Sequence, residues 1–269
     1  MPFQTKALWI EDLDDAGDQA LATTQIQAVG ANMVCVRTNS PLLQGWLPTL
    51  KKQMNLKVYG WRWPYVVAGY KNHAYAPEEA KFVAEQLIPA GLDGYIMDIE
   101  SDEKGGGSDW DRTDVGDLSK LATDYCSVIK GAAEKCDRPF TIGLTSHARG
   151  FTIFPKIPWA PFLAVADVLY PQTYWRFYDD TKKTCVDENA NPVTHKGAGT
   201  PDQALLNGYA DYGTKGKPVI PVSGEMVCSS AAEMTKFGAL IAARGVTEAH
   251  FYVSKPTIAP SVLAAIKAL

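Results

Sequence analysis

The chain has 269 residues, 46% hydrophobic and 21% charged, with a formal net charge of −4 at neutral pH. That is the composition of a globular protein long enough to bury a sizeable core. Slight acidity without a Lys/Arg cluster argues against a nucleic-acid binder, which needs a concentrated basic face. No apolar run of about 18 residues offers a transmembrane helix.

The opening MPFQTKALWIEDLDD lacks the apolar core of a signal peptide. Either the chain is made without one or one has been lost, and cytoplasmic synthesis with export or release by another route is the expectation. Cysteines stand at 35, 126, 136, 185 and 228. The number is odd and no C-x-x-C spacing occurs, which disfavours a zinc ribbon or redox motif. Cys35, inside NMVCV, reads as a buried small hydrophobe. Cys126 and Cys136 form a candidate disulfide.

Taken in chain order, the sequence alternates strand-like and helical stretches. KALWIE (6–11) is a short apolar strand, followed by a helix from Ala16 to Ala28. NMVCVR (32–37) and a helix from Pro41 to Gln53 come next, then the strand LKVYGWRW (56–63). Ala76-Pro77-Glu78-Glu79 opens the following helix, with proline in the first turn and acids near its positive end. Ala80, Val83, Ala84 and Leu87 recur at helical spacing behind it. GYIMDIE (94–100) is the fourth strand. A Gly/Ser/Asp-rich segment leads from it to a helix over about 115–135.

PFTIGLTS (139–146) and ADVLYPQTYW (166–175) read as the fifth and sixth strands, and a polar stretch (176–199) precedes a helix from Pro201 to Tyr212. KPVIPVSGE (217–225) is the seventh strand, followed by a helix from Ala231 to Arg244. EAHFYVS (248–254) is the eighth, and a helix from Pro260 to Leu269 ends the chain. Eight apolar strands alternating with helices predict an α/β fold, a single (β/α)8 barrel spanning 1–269. A doubly wound open sheet is the competitor, but its first turn would carry a glycine-rich phosphate fingerprint, whereas EDLDDAGDQ is acidic. The segments 101–114 and 176–199 follow strands. As enlarged loops they would lie on the face where barrel enzymes build their sites.

Polar groups at the carboxyl ends of strands are therefore the first candidates. The fourth strand ends Asp98-Ile99-Glu100, and strand alternation puts the two acids on one face. Carboxylates that close do not both ionise freely; one keeps its proton and can act as a general acid. A solvated strand end, or pairing with Arg or Lys, is the structural alternative. The apolar approach Tyr95-Ile96-Met97 speaks against a casual surface pair.

Asp93-Gly94-Tyr95-Ile96-Met97-Asp98-Ile99-Glu100 resembles the fourth-strand signature of family 18 glycoside hydrolases, D-G-x-D-x-D-x-E, and the D-x-E of family 25 lysozymes. The layout from VYGWRWPY to AGLDGYIMDIES is more similar to the lysozymes, over roughly 56–100. Ile96 stands where family 18 has an aspartate. The resemblance implies a glycosidase acting on β-1,4-linked N-acetylhexosamine polymers, peptidoglycan ahead of chitin. It makes Glu100 the proton donor and Asp98 the group that orients the substrate's N-acetyl group or steadies the cationic centre. It further implies substrate contacts from Gln172 and Tyr174, which fit a Q-x-Y setting. It also draws in one of Glu11 and Asp12 at the first strand end.

Other strand ends add candidates. Trp61 and Trp63 of the third strand and Trp175 after the sixth are candidate stacking platforms for sugar rings, though alternating aromatics also fill barrel cores. Tyr170 shares the face of Gln172. His147 could bind or shuttle protons, and Lys255 reads as a rim charge. Glu225, at the seventh strand end, supports a rival plan in which Glu100 is the acid and Glu225 the nucleophile of a retaining glycosidase. A carbohydrate-binding pseudoenzyme on the same barrel is the rival from another class. No metal motif is present: His73, His147, His195 and His250 are far apart, and Gly105–Gly107 reads as a loop, not a phosphate cradle. No cofactor, a polysaccharide partner and a monomer complete the expectation.

Overall fold

A computed structural model of the protein describes residues 2–69, 75–101, 109–179, 181–186 and 199–269. His73, His195, Gly105–Gly107 and parts of the two expected loops lie outside the described residues. Strands β1 (Thr5–Ile10), β2 (Met33–Arg37), β3 (Lys57–Arg62), β4 (Gly94–Asp98), β5 (Thr141–His147) and β6 (Val168–Gln172) pair in parallel, each with the next. A short antiparallel hairpin, β7 (Phe177–Asp179) and β8 (Thr184–Val186), follows β6, and β9 (Glu248–Phe251) pairs in parallel with β1.

The seventh strand of the sequence reading is not a regular strand. Pro218 and Pro221 have no N–H to give to a ladder. The segment instead makes single parallel bridges, Leu169 to Val219, Gln172 to Val222 and Val222 to His250. Those bridges join β6 to β9 and close the sheet into a (β/α)8 barrel.

Helices cover the outside: α1 (Ala16–Val29), α2 (Leu43–Lys52), α3 (Ala76–Phe82) running through a π-helical turn into α4 (Ile88–Ala90), and α5 (Leu118–Glu134). Two short helices that no clear apolar periodicity announces, α6 (Gly150–Ile153) and α7 (Trp159–Val165), connect β5 to β6. Then come α8 (Pro201–Tyr212), α9 (Ala231–Ala242) and α10 (Pro260–Ala268). Local chemistry fixes several starts. Asp15 and Ser230 form capping boxes with Asp18 and Glu233, and Pro201 fills the first turn of α8 behind its Thr200 cap.

Strand alternation divides the core in two. Leu8, Ile10, Val34, Val36, Tyr95, Met97 and Leu144 face the helices, whereas Ala7, Trp9, Cys35, Tyr59, Trp61, Ile96 and Tyr170 fill the barrel. Two glycines make room for that interior. A Cβ on Gly143 would lie 2.6 Å from the Tyr170 ring, and one on Gly94 2.8 Å from Tyr59.

Cys185 and Cys228 are joined by a disulfide, and Cys126 and Cys136 are free. The candidate Cys126–Cys136 pair fails on geometry. Cys126 lies in α5 and Cys136 just past its end. Ten residues at helical rise separate their Cα atoms by about 15 Å, against the ~7 Å limit for a disulfide. The observed bond ties β8 to the turn that follows Glu225.

Candidate active site

The strands deliver their last inward side chains to one end of the barrel. There Trp9, Glu11, Arg37, Trp61, Trp63, Asp98, Glu100, His147, Gln172, Tyr174, Phe177, Glu225 and Tyr252 line a cleft of about 470 Å³. Asp98 is 5% exposed, and Glu100 is partly buried just beyond the end of β4. The Nε2 amide of Gln172 donates to Asp98 Oδ1 at 2.9 Å and to Glu100 Oε1 at very short range. One side chain from β6 therefore clamps both acids of β4.

Burial pushes the Asp98 carboxyl well above the usual carboxylate range. The Glu100 charge beside it and the hydrogen bond between the two add to the rise, and Arg37 opposes it. Burial raises Glu100 as well, while hydrogen bonds from Asp98 and Gln172 hold that rise back. The pair thus keeps a proton above the pH at which free carboxyls lose theirs, because removing it would leave two adjacent charges in a poorly solvated site. Around it, Tyr174 and Tyr252 stack at 4.8 Å. Burial and then nearby phenols or acids raise both hydroxyls, so they remain proton-bearing donors.

The floor is aromatic. Trp9 and Trp61 lie 5.5 Å apart between ring centroids, with Tyr252 edge-on to both. The Trp9 indole donates to His250 Nδ1 at 3.0 Å, and His250 Nε2 meets Glu248 at 2.6 Å. The Trp61 indole donates to the Ile10 carbonyl at 3.2 Å. These bonds hold both indoles in place as fixed faces. On the rim, Glu11 pairs with Arg37 at 3.2 Å and Lys255 at 3.3 Å.

Several expected residues fall elsewhere. Trp175 is 1% exposed and packs on Phe237 at 5.6 Å, facing the helix layer. Its parity is opposite to that of Gln172 and Tyr174. Tyr170 faces inward but sits a layer below the cleft, against His250 at 4.7 Å, with its hydroxyl 3.4 Å from Glu248. Asp12 points to the rim and pairs with Lys255 at 2.8 Å. Gln172 is in the site, but both its amide hydrogens are committed to the acid pair. The structure brings together Asp98, Glu100, Gln172, Tyr174, Trp61, Trp63, Glu11 and Glu225.

Trp9, Arg37, Phe177 and Tyr252 were not singled out from sequence. Trp9 and Tyr252 were legible in principle, since each shares parity with a strand-end polar group. Among the described residues, no group of three or more His, Cys, Asp or Glu is placed to hold a metal.

The fold and site define a class: a (β/α)8 barrel with a proton-holding carboxyl pair under an aromatic-walled cleft at the carboxyl end of its strands. No protein-family model matches the sequence, and no curated protein matches it either. Solved structures share the fold. A family 18 N-acetylglucosaminidase from Paenibacillus barengoltzii aligns over 98% of this chain and 99% of its own, with TM-score 0.61 and 11% identity. The ICChI chitinase from Ipomoea carnea aligns over 98% of this chain and 99% of its own, with TM-score 0.54 and 13% identity. A family 26 β-mannanase from Bacteroides ovatus aligns over 98% and 88%, with TM-score 0.56 and 10% identity.

Proposed function

We propose that the protein is a retaining glycoside hydrolase acting on β-1,4-linked N-acetylhexosamine polymers, with Glu100 as general acid. The Asp98–Glu100 pair carries this reading: a protonated carboxyl couple, aimed by Gln172, at the base of a cleft walled by aromatic rings. Solved barrels of the same architecture include enzymes named for cleaving N-acetylglucosamine linkages, chitin and mannan. The fold is therefore one on which such sites are built, and the residues of this chain supply the chemistry.

In the proposed reaction the proton of the pair passes from Glu100 to the glycosidic oxygen as the bond to the anomeric carbon breaks. The substrate's acetamido oxygen, oriented by Asp98, closes on that carbon. Water then opens the ring, returns a proton to Glu100 and leaves the configuration retained. Trp9 and Trp61 offer the sugar a hydrophobic floor, and Tyr174 and Tyr252 donate hydroxyl hydrogens. Peptidoglycan is the favoured polymer on the D-x-E resemblance, with chitin second. Such an enzyme would act outside the cell that makes it, as a lysin or a secreted effector. The Cys185–Cys228 bond fits an oxidising setting.

Mass spectrometry of products from purified peptidoglycan and from chitin oligomers tests this. Reducing-end identity names the bond cut, and no product from either would overturn the reading. Glu225 lines the same cleft, which favours one alternative, a covalent intermediate on Glu225. Restoration of Glu225→Ala activity by azide would select it. A thiazoline mimic of the acetamido ring inhibiting at low concentration would select the route through Asp98. Oligomer binding without turnover would make the protein a sugar-binding pseudoenzyme.

A further inference from the structure

We propose that His147 contacts the substrate as a neutral imidazole held in one tautomer, donating from Nε2 to a hydroxyl or amide oxygen of the sugar lying over Asp98 and Glu100. The inference rests on the glycosidase reading and assigns a specificity-determining residue to the same site.

Position comes first. His147 ends β5, faces Gln172 in the β5–β6 register, and lines the cleft with the acid pair. The tautomer follows from the backbone. The Arg149 amide donates to His147 Nδ1 at 3.1 Å, so Nδ1 is the acceptor nitrogen and the ring proton sits on Nε2. The ring lies edge-on to Phe154 at 6.4 Å, and the His147 carbonyl accepts from the Tyr212 hydroxyl at 2.9 Å, which fixes the strand end. No hydrogen bond from Nε2 is found among the described residues. A partly buried donor in a cleft, with no acceptor among the described residues, is open to water or to what binds there.

Neutrality has a purpose in this setting. Burial, and then the Arg149 charge, bring His147 down to about 4, with Asp211 opposing. A cation at this place would stabilise the ionised form of the acids and strip the proton that the reaction needs. A neutral N–H supplies a hydrogen bond without that effect. The same low value makes His147 unsuited to general acid–base work near neutral pH.

The test compares two variants. Asn at 147 can still accept the Arg149 amide but is too short to donate into the cleft. Gln reaches the place of Nε2 with an amide N–H. With N-acetylglucosamine tetramer as probe, His147→Asn is expected to lose about tenfold in kcat/KM and His147→Gln to restore most of it. The alkaline limb of the pH profile should stay unchanged in both. Nitrogen-15 NMR of the free wild-type protein should show the Nε2–H tautomer from pH 5 to 8, with its proton resonance moving when tetramer is added to Glu100→Gln. An Nδ1–H tautomer, a ring that titrates between pH 5 and 7, or His147→Asn cleaving like wild type would overturn the inference alone. Wild-type protein that cleaves neither the tetramer nor purified peptidoglycan would overturn it together with the glycosidase reading; where only peptidoglycan is cleaved, the same two variants are compared on it, and His147→Asn cleaving it like wild type would overturn the inference alone. Should His147→Asn fail to fold, the NMR arm decides.

Discussion

Asp98 and Glu100 are two acids that solvent would keep ionised and whose joint ionisation the barrel opposes. Each would be an ordinary carboxylate on a surface; side by side under Gln172 they are a proton store. Glu100→Gln keeps the shape and the Gln172 contact but cannot give a proton. We expect kcat to fall by about 10²–10⁴, the range measured for a positioned general acid, with an unchanged circular dichroism spectrum. A folded variant that cleaves at the wild-type rate would remove Glu100 from the mechanism. Tyr174→Phe isolates a hydroxyl: it should cost about tenfold in kcat/KM while leaving the stack on Tyr252. At this scale much of the site was legible. Parity put Asp98 with Glu100 and Gln172 with Tyr174, because inward and outward residues alternate along a regular paired strand and the alternation carries on past the ends of β4 and β6. The same rule excludes Trp175. Arg37 was not legible, since nothing in NMVCVR marks the terminal arginine as a neighbour of Glu11 until β1 and β2 are seen adjacent.

Elements carry a second kind of constraint. Seven of the eight expected strands formed with boundaries displaced by a few residues, and α8 begins and ends where its proline, cap and periodicity place it. The seventh segment shows the limit of reading apolar runs. KPVIPVSGE has the composition of a buried strand, yet its two prolines reduce it to isolated bridges. The hairpin β7–β8 was hidden in a polar stretch because its identity depends on a long-range bond between Cys185 and Cys228, 43 residues apart. That bond should stabilise by about 2–4 kcal/mol through loop closure in the unfolded chain. Since Phe177 and Glu225 stand at the two sides it joins, Cys185→Ser should lower both the urea midpoint and the affinity for oligosaccharide. Unchanged binding in the folded variant would show that the hairpin does not shape the cleft. Gly143 makes a second test of packing. Its missing Cβ leaves space for Tyr170, which is 1% exposed and unable to withdraw. Gly143→Ala should destabilise by about 1–3 kcal/mol in a denaturant titration.

For the molecule as a whole, the buried titratable groups of the cleft set opposing slopes of stability against pH. His147 is a base lowered to about 4 in the folded protein, whereas the unfolded chain takes up a proton near pH 6.5. Between those values the unfolded state binds more protons, so stability rises with pH and is lost as pH falls, by on the order of 3 kcal/mol across the window. Asp98 and Glu100 act the other way. Both are raised in the folded protein, so from the unfolded carboxyl value of about 4 upward the folded state holds a proton that the unfolded chain has released. Their contribution is fully present below that value and declines as pH rises through the folded pair's own titration. Between the unfolded carboxyl value and about pH 6.5 the His147 slope opposes that of the acid pair, whose contribution is lost as pH rises through the folded pair's own titration. Difference curves separate the terms. Asp98→Asn removes the coupled charge, so it should raise the thermal midpoint over wild type at pH 8 by several degrees and at pH 4 by little. His147→Gln should do the reverse, gaining at pH 4–5 and staying level at pH 8. An Asp98→Asn midpoint equal to or below wild type at pH 8 would mean that the cleft solvates both carboxylates. The pair would then not keep the proton on which a Glu100-first cleavage depends.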